Sequence, residues 1–99
     1  MNGFLVESVQ KEIAQEKAEG LARTETRLLA ALEAYRHLPI GTRGAQFERV
    51  MWEIVDATTS FIVQREACGL RDYKRIFELY GVPAEAVARM GIRRQAGSR

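Results

Sequence analysis

Histidine and cysteine each occur once, at His37 and Cys68, and that scarcity removes much of the chemistry open to a small protein. A single cysteine allows no intramolecular disulfide and no multi-cysteine zinc site, and it fits a reducing compartment. Proline occurs only at Pro39 and Pro83, so few positions forbid helix. No apolar run approaches the roughly 18 residues that a membrane span needs. The opening residues, MNGFLVESVQKE, hold no basic n-region, no continuous apolar stretch and no small-residue cleavage site. No secretion signal is read there, and a cytoplasmic protein without a membrane segment is expected. Net charge is only +2, too small to imply a polyanionic partner. Acids are missing altogether after Glu85, where Arg89, Arg93, Arg94 and Arg99 follow.

What is present favours helix. The chain has 99 residues, enough for one domain with one modest core. Its 46% hydrophobic and 28% charged residues place it among ordinary globular sequences. Residues 3–37 read as one long helix or two collinear ones, with Val6, Val9, Ile13, Leu21, Leu28, Leu32 and Tyr35 along one drifting stripe. Glu7 with Lys11 and Glu19 with Arg23 are i,i+4 pairs in the favourable order. The stripe weakens over AQEKAEG, residues 14–20, and Gly20 costs a helix about 1 kcal/mol relative to alanine. Either a bend near Gly20 or packing of the first half on a partner chain is expected.

Residues 38–44, LPIGTRG, break the helix, because Pro39 disfavours helical backbone at Leu38. A connection this short returns the next helix antiparallel to the first. That helix, from Ala45 to Cys68, makes up most of the most apolar stretch of the chain, residues 47–71. Phe47, Val50, Met51, Ile54, Val55, Ala57, Thr58, Phe61, Ile62 and Cys68 share one broad arc. Trp52 and Val63 point into the polar side, flanking Thr59. An arc with a second stripe requires two neighbours: the first helix, and either the C-terminal helices or a second subunit. Gly69 suits a left-handed position after the helix, and Asp72 can N-cap a third helix over 73–80. Gly81 ends it. Pro83 fits the first turn of a short fourth helix, Glu85 lies near its positive end, Val87 and Met90 anchor it, and Gly91 stops it. The expected architecture is all-α: a long N-terminal helix antiparallel to a central apolar helix, with two short C-terminal helices as an αα-hairpin. Residues 1–91 form the domain and 92–99 a basic, disordered tail.

Few side chains carry chemistry. His37, at a helix end, suits the terminal carbonyls, and Glu33–His37 is a single i,i+4 pair where a bundle metal site needs more. Cys68 lies at a helix C-terminus, where the dipole disfavours a thiolate, and reads as a small buried hydrophobe. Glu53 and Asp56 read as a solvated face. No catalytic, cofactor or metal residue is assigned, and no cofactor is expected. Arg65 is more informative. It shares the wheel angle of Phe47, between Phe61 and Cys68, so its guanidinium lies either past the core edge or against an acid: Glu66, Asp72, or an acid of the first helix or of another chain. A structural ion pair that fixes the turn at Gly69, with Asp72 the candidate, is the preferred reading, and an anion site at Arg65 and Arg71 the lesser one.

The segment 73–92, YKRIFELYGVPAEAVARMGI, has the outline of a helix-turn-helix, with Arg89, Arg93 and Arg94 placed to meet nucleic acid. Phe77 stands where such units need a small residue, and the second helix is short, so a capping αα-hairpin is the preferred reading. The run VQREACGLRD (63–72), with YGVP (80–83) and ARMG (88–91), resembles a family of small bacterial helical proteins, a domain of unknown function of about this length. The resemblance is most specific over 61–91. It implies a bacterial, helical, stand-alone protein and no particular activity.

The expected role is therefore a non-enzymatic interaction or assembly module acting as a homodimer. Trp52, Val63, Val9 and Ile13 are the candidate interface, because the first helix's stripe is longer than the second helix can cover. A small DNA-binding protein using the 73–92 hairpin is the alternative.

Overall fold

A computed structural model describes the backbone of residues 3–97 and the side chains of residues 6–91. Four helices follow in order: α1 (Gly3–Arg36), α2 (Ala45–Ala67), α3 (Tyr73–Tyr80) and α4 (Ala84–Gly97). The described residues contain no strand. The architecture is the expected all-α arrangement, with α1 packed on α2 and two short helices at the C-terminal end.

α1 is uninterrupted through Gly20. After Arg36, His37 N–H still donates to the Glu33 carbonyl (3.1 Å), and Pro39 turns the chain, with Thr42 N–H and Oγ1 both donating to the Pro39 carbonyl. α2 returns antiparallel: Gly20 lies against Gln64, and Arg27 reaches Glu53 and Ser60. Gly20 is buried, and a Cβ there would stand 2.7 Å from Gln64 Nε2, the free end of that flexible side chain.

Leu28, Ala31 and Leu32 of α1 pack with Phe47, Met51, Ile54, Val55, Ala57 and Phe61 of α2, and Ile76, Val82, Ala86 and Met90 close the core. Thr58, the one buried polar side chain among the described residues, donates to the Ile54 carbonyl at 2.6 Å. Burying it is tolerable because its hydroxyl is satisfied inside its own helix. The second neighbour that α2's broad arc requires is α4.

The helix ends follow from local chemistry, with some corrections. α2 closes in a Schellman motif: Leu70 N–H donates to the Arg65 carbonyl and Gly69 N–H to the Glu66 carbonyl, both at 2.9 Å. This places Gly69 at φ 85°, which a side chain would strain. Asp72 occupies the N-cap position of α3, but its carboxylate makes no cap bond. Pro83 stands one position outside α4, its carbonyl accepting from Val87 N–H, instead of inside the first turn. Gly91 does not stop α4, which runs on to Gly97 through part of the segment expected to be a disordered tail. Glycine lowers helix propensity by only about 1 kcal/mol and does not remove a backbone donor, so one glycine need not end a helix. The last two positions of that tail lie outside the described residues.

The fold leaves half of its longest helix uncovered. All residues from 6 to 19 are exposed, whereas Gly20, Leu28, Ala31 and Leu32 are buried. With Gly20 level with Gln64 in the last turn of α2, these fourteen exposed residues run on beyond that end of α2 as an arm. At 1.5 Å per residue the arm is about 21 Å long. It accounts for much of the molecule's 62 Å long axis.

Candidate functional site

Three places concentrate unusual side chains: the Arg65 turn, the α2–α4 junction, and an apolar groove between α2, α3 and α4.

At the turn, Arg65 and Asp72 meet. Arg65 Nη2 donates to both Asp72 carboxylate oxygens at 3.0 Å, and Nε donates to Oδ1 at 3.2 Å. The guanidinium sits 5.7 Å from the Phe61 ring centroid and is 19% exposed. The Schellman turn brings the two residues together by reversing the chain between them. The carboxylate at the N-cap position of α3 binds Arg65 and leaves the helix backbone uncapped. A small cleft of about 180 Å³ adjoins it, lined by Ile62, Glu66, Leu70 and Tyr73 among others. Its Arg65 already holds an internal acid, and the second cation on the lining, Arg71, is exposed.

The α2–α4 junction is built on Arg89. Its Nη1 donates to Glu48 Oε2 at 2.7 Å and its Nη2 to Glu85 Oε2 at 2.6 Å, while the guanidinium covers the Trp52 ring at 4.9 Å. Arg43 adds a contact to Glu85 at 3.5 Å and lies over the Phe47 ring at 4.4 Å. The hydrogen bond from Arg89 holds the Glu48 carboxyl below its usual range and raises the guanidinium's own pKa. Trp52 is therefore a joint between α2 and α4 as well as a surface residue, which accounts for its place off the main arc. Arg89 is only 15% exposed and bound to two carboxylates, so it is not presented to a phosphate as the helix-turn-helix alternative requires. The side chains of Arg93 and Arg94 lie outside the described residues.

The groove holds about 770 Å³, with Ile62, Val63, Tyr73, Phe77, Val87 and Met90 on its walls. Val63 stands on its α2 rim and is 58% exposed. Val9 and Ile13, 52% and 46% exposed, lie on the arm of α1. The four candidate interface residues thus fall in three places: the arm, the groove rim and the α2–α4 joint. Eleven residues of helix, about 16 Å of rise, separate Trp52 from Val63.

The remaining candidates are structural. His37 Nδ1 lies 2.9 Å from the Glu33 carbonyl and 3.3 Å from its carboxylate, at the helix end where a cation is favoured. Glu53 is paired with Arg27 across the α1–α2 face at 2.8 Å. Cys68, expected to be buried, is half-buried as the C-cap of α2 and not part of the core. The described residues hold no cluster of three or more metal-ligating side chains, and no described helix is long and apolar enough to cross a membrane.

Sequence reasoning missed two features. The Tyr80 hydroxyl donates to Glu25 on α1 while its ring meets Phe61 edge-on at 5.3 Å. Burial, and then the bonded carboxylate, push the Tyr80 phenol up to about 12. A contact spanning 55 positions leaves no local signal. The Arg89 cluster had one: Glu85 and Arg89 are four residues apart on one helix. No family model, curated protein or solved structure matches the chain.

Proposed function

We propose that this chain is a non-enzymatic interaction and assembly module that works as a homodimer. The arm of α1 carries the reading. Fourteen consecutive exposed residues hold Val6, Val9 and Ile13 on one stripe, and an apolar stripe on a helix marks a face meant for burial. Within the chain, the same stripe is covered as soon as α1 reaches α2, at Leu28 and Leu32. A partner that continues α2's role along the arm would complete the pattern. A cytoplasmic setting and kinship with the small bacterial helical family resembled by residues 61–91 belong to the same proposal.

The test is the mass in solution. Light scattering at micromolar concentration should give twice the 11.2 kDa of one chain. A single-chain mass up to high micromolar concentration would overturn the homodimer.

A further inference from the structure

The homodimer reading leaves open where the second copy sits. We propose that the arm of one copy, residues 6–19, docks as a helix into the α2–α3–α4 groove of the other, reciprocally. This deepens the proposed homodimer and rests on it.

The chain cannot fill its own groove. α1 is one helix from Gly3 to Arg36, so the arm points away from the body and cannot fold back. A second copy of the same chain carries both the ligand and the site, and a mutual exchange of arms closes with twofold symmetry and no leftover surface.

Dimensions agree. Val6 to Ile13 and the α2 wall from Thr59 to Glu66 each cover seven residue steps. Each is therefore about 10 Å long at helical rise. Anchors at i, i+3 and i+7 are the pattern with which an amphipathic helix fills an apolar groove. The groove walls supply suitable surface, with Met90 at the base and Val63, Phe77 and Val87 around it.

Charge agrees too. Glu12, Glu16 and Glu19, spaced i, i+4, i+7, line one flank of the arm's stripe. On the groove lining Lys74 of α3 is exposed, opposite one acid, Glu66 of α2, and Asp72 is already paired with Arg65. Seating the acidic flank on the Lys74 side and away from Glu66 orients the arm.

The area is modest. The roughly 10 Å of arm that the groove wall spans, half sunk, hides on the order of 200 Å² of itself. Two arms and the two surfaces they cover then remove on the order of 800 Å², the range of a weak, reversible interface.

The test uses the full chain with its own cysteine replaced, Cys68→Ser. One preparation carries Ile13→Cys and a second carries Val63→Cys. After mixing, subunit exchange and mild oxidation, the mixed Ile13→Cys/Val63→Cys product should dominate. Separately, Ile13→Glu and Val63→Glu should each weaken dimerisation at least tenfold; both positions are exposed in the single chain, so folding is not at issue. A double-mass species whose main product joins two Ile13→Cys chains, or in which the mixed product is minor, overturns the groove seat and leaves the homodimer standing. A single-chain mass for the unaltered protein overturns both.

Discussion

Asp72→Ala separates two roles that one carboxylate could play. As an N-cap of α3, aspartate would be worth about 1 kcal/mol through a bond to the helix backbone. The structure gives that carboxylate to Arg65 instead, in three hydrogen bonds of 3.0–3.2 Å, with no cap bond. The pair is neither buried nor free: the arginine side chain is 19% exposed and the aspartate 38%. Its worth therefore lies between the 0.2–1 kcal/mol of exposed pairs and the several kcal/mol lost on breaking a buried one, or about 1–2 kcal/mol. At roughly 4–8 °C per kcal/mol for a domain near this size, Tm should fall by about 4–16 °C. The discriminating measurement is a double-mutant cycle with Arg65→Met, followed by urea unfolding at fixed protein concentration. In the Arg65→Met background, Asp72→Ala should cost less than about 0.5 kcal/mol, because the pair is already gone. An equal loss of about 1 kcal/mol in both backgrounds would mean that Asp72 caps α3 after all, and the assignment of its carboxylate to Arg65 would be refuted.

Two further outcomes follow from the same packing. Tyr80, with its phenol pushed up to about 12 in the folded chain, ionises near 10 when unfolded. The stability this shift supplies is present in full below pH 10 and disappears as pH climbs from 10 through 12. Absorbance titration at 295 nm should show one of the three tyrosines ionising late, and Tyr80→Phe should remove that late step; three tyrosines titrating together near pH 10 would refute it. Gly20→Ala should raise Tm, since alanine gains up to about 1 kcal/mol of helix propensity. The obstacle, 2.7 Å from the new methyl, is the free end of the Gln64 side chain. A lowered Tm would show that Gln64 cannot swing aside.

Periodicity made much of the fold legible. The α1 and α2 spans, the antiparallel return at Pro39 and the third helix between Asp72 and Gly81 are all local signals, and local signals survive in a sequence. Arg65 stood out by its wrong place on a wheel, with Asp72 one of several candidate acids, and only the folded turn shows that Asp72 is the partner. What was not legible depended on meeting across the chain. Trp52 off the main arc signalled a second neighbour without naming it, and only packing shows α4 and the Arg89 guanidinium there. Gly91 misled, because a glycine weakens a helix by an amount that its neighbours can outweigh. The groove is invisible to periodicity altogether, since its walls come from three helices whose relative angles no pattern states.

The arm's helical state has a kinetic meaning. Starting a helix fixes several dihedral angles for one hydrogen bond, whereas lengthening one adds a bond for each residue fixed. The buried turn around Leu28 and Leu32 bears that starting cost once, and the exposed residues of α1 are wound by propagation from it. Cut loose as a peptide, the same fourteen residues would have to nucleate alone and would be largely coil. Attached, they reach any binding partner already wound, with the slow and unfavourable first turn behind them.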